Sequence, residues 1–196
     1  MTINISLGSS GSFSQYSLSS AAPAFSTTTD VSAFTSDQIK ALTVAQVANL
    51  TTSQVAAIAT DALPGLTNKQ IQSLSTRNVA ALTTEQVAAL STSQLNAMSG
   101  GQLNNLTSAQ VNALTSDQLP ALRASGVAAL NTQRMATVST TQIAGLTTKQ
   151  IQALTTDQMV SLIDSQIAAM GNDQVASLKA NQLRAIETRD IQGLTT

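Results

Sequence analysis

Few side chains in this chain of 196 residues have the chemistry of a catalytic or metal site. It contains no His and no Cys, which excludes imidazole catalysis, Ser–His and Cys–His nucleophiles, and zinc sites built from these ligands. The ten Asp and Glu residues are dispersed, and no D-x-[DN]-x-[DN]-G calcium loop occurs. The sequence therefore predicts a protein that is not an enzyme, with no catalytic residues and no metal or other cofactor.

The remaining charged and glycine-rich positions have structural interpretations. Asp37, Asp117 and Asp157 occupy one place in a repeat, in the first turn of a predicted helix, where a carboxylate interacts favourably with the helix dipole. Gly100 and Gly101 lack the Lys and the G-x-G-x-x-G frame of a phosphate loop. The nine Lys and Arg residues are scattered and the net charge is −1, so no nucleic-acid partner is expected.

Most of the chain is one short repeat. Residues 35–194 are twenty tandem octads, of which Thr83–Leu90, TTEQVAAL, is representative. We number the positions of an octad one to eight, with Thr83 at position one. Positions five and eight are aliphatic (counting Met) in all twenty octads, and position four is Gln in fifteen. Position one is Ser or Thr in thirteen octads, and position seven is Ala, Gly, Ser or Thr in eighteen.

The octad predicts a short, capped helix. Thr83 and Gln86 have the spacing of a capping box, and Leu82 and Val87 have that of a hydrophobic staple, which places a helix at Thr84–Ala89. One continuous helix is excluded, because eight residues advance by about 800° and the apolar stripe would drift by about 80° per octad. A strand is excluded, because positions five and eight would face opposite sides.

Helices of about six residues are not stable alone in water, so they must stack on one another. The fold class is thus an all-α solenoid of about twenty short capped helices in residues 35–196, and the small position seven favours close backbone approach. Residues 1–34 are predicted to form an irregular Ser/Thr-rich arm. The sequence leaves open whether one octad or an antiparallel pair makes a solenoid turn. A weaker 40-residue period reflects either duplication or a superhelical turn of five octads.

Several octads depart from the pattern while keeping their aliphatic positions. Ala59–Leu66 lacks both the cap and the Gln, and position four is Gly126, Arg134 and Asp190 in three other octads. Pro120 lies in a predicted helix body, where it must remove a hydrogen bond unless that turn is already irregular. We therefore expect the array to tolerate a lost cap better than a lost core residue.

The two ends of the chain predict self-assembly. All four aromatic residues lie in the arm and are Phe13, Tyr16, Phe25 and Phe34. They either cap the first repeat or dock on another molecule. The last octad keeps two core residues, Ile191 and Leu194, so its stacking surface is expected to be apolar. We expect these residues to join subunits head to tail as a homo-oligomer or filament, since a low net charge opposes contact only weakly.

The repeat LTxxQVxAL resembles the octapeptide tracts of large secreted or surface-attached bacterial repeat proteins. The resemblance covers residues 35–194 and implies an extracellular or cell-surface scaffold, without carrying over any site residue. No apolar run is long enough to insert in a membrane. The first residues, MTINISLGSS, show no Sec signal, so the export route is unknown. The alternative function is an adhesin-like module in which a ladder of Thr and Ser hydroxyls at positions one and two binds a surface glycan or ice. A cytoplasmic scaffold is the third reading.

Overall fold

The structure, a computed structural model, describes residues 28–186. Within that range the chain forms eighteen short α-helices and one 3₁₀ turn, Leu63–Gly65, and contains no β-strand. The helices, numbered in chain order, are α1 (Ser36–Ala41), α2 (Val44–Ala48), α3 (Thr52–Ala57), α4 (Asn68–Ser73), α5 (Thr76–Ala80), α6 (Thr84–Ala89), α7 (Thr92–Ala97), α8 (Gly100–Asn104), α9 (Ser108–Ala113), α10 (Gln118–Ala121), α11 (Ala124–Ala128), α12 (Thr132–Met135), α13 (Thr140–Gly145), α14 (Thr148–Ala153), α15 (Thr156–Ser161), α16 (Asp164–Ala168), α17 (Asn172–Ala176) and α18 (Ala180–Ala185).

Each octad within residues 35–186 contributes one helical segment, as the capping pattern predicts. Helix α6 has the predicted bounds, and its capping box is formed: the Gln86 backbone N–H donates to the Thr83 hydroxyl (3.1 Å) and the Thr83 backbone N–H donates to Gln86 Oε1 (2.8 Å). Leu90 follows in an extended conformation (φ −66°, ψ 139°) and ends the helix. The prediction of an all-helical solenoid of short capped helices is confirmed.

The stacking of the helices gives the size of a solenoid turn. Helices three octads apart pack on one another, as α4 does on α7 and α6 on α9. Side-chain hydrogen bonds reach further, since Gln86 donates to carbonyls of Ile58 and Val55, 28 and 31 residues earlier. A helix therefore lies across the junction between the helices three and four octads before it. We call this 28-residue separation the stacking offset, and it corresponds to three and a half octads.

The stacking offset settles the size of the solenoid turn that the sequence left open, because a turn contains neither one octad nor two. The physical reason is packing between turns. The helices that pack on one another lie three octads apart and the glutamine hydrogen bonds reach the fourth, so between three and four octads are needed to return over the starting point.

A single hydrophobic core runs along the stack from Val31 to Ile186. Positions five and eight fill it, as Val87 and Leu90 show with 0% and 3% exposure. Two residues of the predicted arm, Val31 and Phe34, also lie in this core. The Phe34 N–H donates to the Val31 carbonyl (3.1 Å), which repeats the contact between positions eight and five of a regular octad. Among the described residues, the core therefore extends into a degenerate octad before Thr35.

The small position seven allows close contact with position two of the helix beneath. A Cβ on Gly65 would overlap the backbone of Ser36, 29 residues earlier. At the same separation, the Ser73 hydroxyl donates to the Val44 carbonyl (3.3 Å). The expectation that position seven is small because two backbones approach closely is confirmed at these places.

Pro120 is accommodated by a shortened helix. Helix α10 begins only at Gln118 and contains four residues, and the hydrogen bond from the Leu119 N–H to the Thr115 carbonyl lengthens to 3.4 Å. The capping box between Thr115 and Gln118 is retained, with distances of 2.9 and 3.2 Å. The turn at Pro120 is therefore irregular, in agreement with the sequence expectation.

Candidate functional site

A row of buried amide side chains follows the solenoid axis at position four of the octads. Polar side chains of this size are normally exposed unless they are fully hydrogen-bonded. Those buried in the described residues are Gln46, Gln54, Gln70, Asn78, Gln86, Gln94, Gln102, Gln110, Gln118, Gln142, Gln150, Gln158, Gln166, Gln174 and Gln182.

Gln86 shows how one such amide is used. Its Oε1 accepts the backbone N–H of Thr83 (2.8 Å), at the start of its own helix. Its Nε2 donates to the carbonyls of Val55 (2.9 Å), Ala56 (3.3 Å) and Ile58 (2.7 Å), at the end of α3. Helix ends leave backbone groups without intrahelical partners, so this one side chain serves two helix ends on successive turns.

The same bridge recurs along the chain, and we call it the glutamine ladder. The Oε1 atom accepts the position-one N–H in all fifteen octads with Gln at position four. The Nε2 atom donates to carbonyls both 28 and 31 residues earlier in twelve of them. These twelve residues are Gln70, Gln86, Gln94, Gln102, Gln110, Gln118, Gln142, Gln150, Gln158, Gln166, Gln174 and Gln182.

The donation from Nε2 explains why position four is Gln. A Glu residue completes a capping box as well as Gln does, but a carboxylate cannot donate to a carbonyl. Sequence reasoning recognised the capping half of the ladder and missed the half that joins turns. The sequence does contain a signal for the half that joins turns, because position four is Gln in fifteen octads and Glu in none.

Two octads have a different side chain as the donor in place of the ladder glutamine. Asn78 is shorter than Gln and donates to a single carbonyl, that of Leu50 (2.9 Å). Arg134 donates from its Nε to the Leu106 carbonyl (2.7 Å), 28 residues earlier. The stacking offset is therefore the same whether the donor is an amide or a guanidinium.

Gly126 has no side chain that could donate to the turn beneath. Hydrogen bonds of Asn96 and Arg123 join the two turns there instead. Asn96 on the turn beneath accepts the Arg123 backbone N–H at its Oδ1 (2.8 Å) and donates from Nδ2 to the Ala121 carbonyl (2.7 Å). The Arg123 guanidinium also donates to the Asn96 carbonyl. Asn96 and Arg123 thus clamp the two turns at the octad where the glutamine is missing.

The ionisable side chains of the described residues do not converge. Within residues 28–186, no three His, Cys, Asp or Glu side chains lie together as a metal-binding group. The hydroxyl of Ser32, and then its backbone N–H, lower the pKa of Asp30. The backbone N–H of Glu85, and then the Thr83 and Thr84 hydroxyls, lower the pKa of Glu85. Both carboxylates are exposed, Asp30 before the first helix and Glu85 in the first turn of α6, and this hydrogen bonding favours their ionised form.

The hydroxyls predicted to form a ladder at positions one and two have different surroundings. At position one, a hydroxyl such as that of Thr83 is a helix cap. Position two of one turn meets position three or position seven of the next turn: Asn68 Nδ2 donates to the Ser93 hydroxyl (3.0 Å), and the Val44 carbonyl accepts from the Ser73 hydroxyl (3.3 Å).

The residues predicted to mediate assembly are distributed between the core and the undescribed ends. Phe34 is buried in the hydrophobic core of its own chain. The other five, namely Phe13, Tyr16, Phe25, Ile191 and Leu194, lie outside the described residues. The exposed large hydrophobic residues in residues 28–186 are Val44, Val160, Ile163 and Leu183.

Uniform short helices, a fixed stacking offset and one continuous core define a helical repeat solenoid. The family model described as "ALTTAQ repeat" matches the chain three times, over residues 55–92, 90–124 and 127–164. These matches cover more than half of the chain, and the chain belongs to the ALTTAQ repeat family. Each match is longer than the 28-residue stacking offset, so it includes helices that stack on one another. None of the curated proteins matches the chain.

No helix in residues 28–186 combines the length and the hydrophobicity that crossing a membrane requires.

Proposed function

We propose that this chain is a non-enzymatic structural protein, a rod that self-assembles end to end into a filament or matrix outside the cell or on its surface. The observation that carries the proposal is the glutamine ladder. Its buried amides join one turn to the next, so the polar interior is used for holding the stack together.

The dimensions of the stack suit a spacer. The described residues, 28–186, contain between five and six turns of 28 residues. With stacked helices about 8–10 Å apart, that part of the rod is roughly 50 Å long. A solenoid turn contacts only its neighbours, so the rod can be extended by adding turns without changing the packing of those already present.

Chemistry-bearing side chains support a structural role over an enzymatic one. The sequence has no His and no Cys, and its acidic residues do not gather into a site in the described part of the chain. The hydroxyls at position one are engaged as caps, and the amides at position four are engaged in the ladder. The location outside the cell is proposed from the resemblance of the repeat to surface-protein tracts.

The proposed contacts between subunits use the ends of the chain. Phe13, Tyr16 and Phe25 of one subunit pack on the C-terminal repeats of the next, with Ile191 and Leu194 in the apolar surface that receives them. Such a head-to-tail contact uses two different surfaces and therefore propagates as an open filament.

Electron microscopy and analytical ultracentrifugation of the purified full chain across a concentration series test the proposal. We expect filaments that lengthen with concentration. Replacing Phe13, Tyr16 and Phe25 together by Ser should shorten the filaments and leave the helical circular dichroism unchanged. Rods that remain dispersed at every concentration would contradict self-assembly. In that case a screen of glycans and an ice-recrystallisation assay would test the alternative binding role.

A further inference from the structure

Position seven of the octads has two exceptions to the small residues found there. Its residue is Ala, Gly, Ser or Thr in eighteen octads and Asn in the other two, at Asn49 and Asn105. Both asparagines are exposed. Their backbone conformations nearly coincide, with φ −92° and ψ 2° at Asn49 and φ −93° and ψ −1° at Asn105, and each directly follows a five-residue helix, α2 or α8. The two exceptions therefore present the same side chain in the same local geometry.

Each of these asparagines begins an acceptor sequence for N-glycosylation. The chain reads Asn-Leu-Thr at 49–51 and again at 105–107, and N-x-[ST] is the sequence in which a sugar is attached to the Asn side chain. None of the eight other asparagines in residues 28–186 is followed two residues later by Ser or Thr. Because the motif is short, the space around the two asparagines has to support the same function.

The surroundings of Asn105 leave room for a substituent. Elsewhere position seven is confined by the turn beneath, since a Cβ on Gly65 would overlap the backbone of Ser36. The Asn105 side chain instead turns back along its own helix, where Nδ2 donates to the Gly101 carbonyl (2.8 Å). Among the described residues, and apart from its chain neighbours and the helix backbone, a Cβ on Gly101 would contact only Ser99 Oγ, at 3.9 Å. An amide nitrogen has two hydrogens, so one remains for substitution.

A small residue also lies beside Asn49. Residues four apart are neighbours on a helix surface, so position three flanks position seven. Position three is Ala45 in the octad of Asn49 and Gly101 in that of Asn105, and in the other eighteen octads it is Ala or Gly only at Ala109. Ala45 and Gly101 are both exposed. The two octads with an asparagine thus lack the longer polar side chain that most octads have beside position seven.

We propose that Asn49 and Asn105 are N-glycosylation sites. The donor is an activated sugar phosphate, and the catalyst is a glycosyltransferase of the cell. The amide nitrogen forms a bond to the anomeric carbon of the sugar and gives up one proton. The bond from that carbon to the phosphate oxygen breaks, and the phosphate leaves with the bonding electron pair.

The folded rod fits a modification that is added before folding and then remains on the surface. Leu106 is 0% exposed, and the Thr107 hydroxyl caps α9 by accepting the Gln110 N–H (3.2 Å), so the motif is accessible as a whole only in the unfolded chain. The Asn105 amide stays outside. Glycans solubilise a surface, and this chain has only 10% charged residues with which to do so. The inference rests on the proposed function, because it assigns this modification to a rod outside the cell.

Site-resolved mass spectrometry of the full chain, purified from the cells that make it, tests the inference. We expect hexose or N-acetylhexosamine units on Asn49 and Asn105 and none on Asn104, which is exposed but begins no acceptor sequence. Thr107→Asp separates the motif from the fold, because Asp caps a helix as Thr does and lacks the hydroxyl of the motif. It should abolish the sugar on Asn105 and leave that on Asn49. Thr107→Ser, the matched control, should keep both, and both variants should have the helical circular dichroism of wild type.

The outcomes separate this inference from the proposed function, because filament formation is measured independently. Native protein without sugar on Asn49 and Asn105 would overturn the inference and leave the proposed function standing. Sugar that persists on Asn105 in Thr107→Asp, or equal sugar on Asn104, would also overturn it. Sugar on both sites of a chain that forms no filaments at any concentration would count against the proposed function instead.

Discussion

Two neighbouring regions of the stack differ in their ladders but not in their cores. In the regular stretch, Thr67–Leu122, every octad has Gln or Asn at position four, whereas in the lapsed stretch, Arg123–Val138, the same position is Gly126 and then Arg134. The core positions are buried alike: those of the lapsed stretch, Val127, Leu130, Met135 and Val138, are between 0% and 3% exposed. The core thus keeps the stack continuous where the ladder changes.

The lapsed stretch also shows which property of the ladder is preserved. Arg134 donates to a carbonyl 28 residues earlier, as glutamine does, and Arg123 donates to the Asn96 carbonyl beside the octad with Gly126. In both cases a side-chain N–H group donates to a backbone carbonyl on the turn beneath. A glutamine amide can supply this donor in the interior without burying a charge.

The largest expected effect comes from removing that donor where it is almost completely buried. Gln86 is 1% exposed, and Gln86→Glu places a carboxylate against three carbonyls. We expect a loss of about 3–5 kcal/mol in the free energy of unfolding at pH 7, as for other buried charges without a partner. Urea denaturation measures it. Lowering the pH to about 4 should recover part of the loss, because a protonated carboxyl can donate.

The control for this variant is Gln152→Glu, an equal charge change at an exposed residue of the same chain. It should change the free energy of unfolding by less than about 0.5 kcal/mol. A Gln86→Glu variant as stable as this control would show that the amide donation contributes nothing to stability.

A core truncation should cost about the same in both stretches. Leu90→Ala in the regular stretch and Leu130→Ala in the lapsed stretch each remove a side chain at position eight, 3% and 2% exposed. We expect each to lower the free energy of unfolding by about 2–5 kcal/mol, from lost burial and a residual cavity. Denaturant melts of the two variants check this. A much smaller loss for Leu130→Ala would mean that the lapsed stretch is loosely packed.

Loss of a single cap should cost less than loss of a core residue. The Thr83 hydroxyl accepts only the Gln86 N–H (3.1 Å), and three octads have Ile163, Gly171 and Lys179 at position one. We therefore expect Thr83→Ala to lower the free energy of unfolding by about 1 kcal/mol. Thr83→Ser is the control that keeps the hydroxyl. Equal losses for Thr83→Ala and Leu90→Ala in parallel melts would contradict the assignment of cap and core positions.

The smallest effect is a gain from repairing the ladder in the lapsed stretch. Gly126→Gln introduces an amide that can reach the Leu95 and Met98 carbonyls, and it reduces the backbone freedom of the unfolded chain. The new Cβ would lie 3.2 Å from Leu103 Cδ1, the end of a flexible side chain that can shift. We expect a gain of about 0.5–1 kcal/mol by thermal denaturation. Gly126→Ala separates the backbone contribution from that of the amide.

If Gly126→Gln is less stable than Gly126→Ala, the clamp between Asn96 and Arg123 already occupies the place of the amide. The comparison of the two variants therefore shows whether the lapsed stretch is a defect in the ladder or a different solution to the same hydrogen-bonding requirement.

The sequence by itself determined the local unit. The bounds of α6, its capping box and the burial of positions five and eight follow from spacings within eight residues, and they agree with the structure. The small position seven was also predictable, since only a small side chain permits two backbones to approach. The missed first octad, with Val31 and Phe34 in the core, has Asp30 at position four and an aromatic residue at position eight, so it does not match the pattern of the other octads.

Only the tertiary structure decided how the units stack. The 28-residue stacking offset depends on the angle between successive helices, and that angle is set by packing between turns far apart in sequence. The same stacking decided that Gln86 donates to the carbonyls of Val55 and Ile58. Hydrogen bonds within eight residues specify each short helix. The carbonyls at the end of that helix accept from a side chain three or four octads away, so this partner depends on how the turns stack.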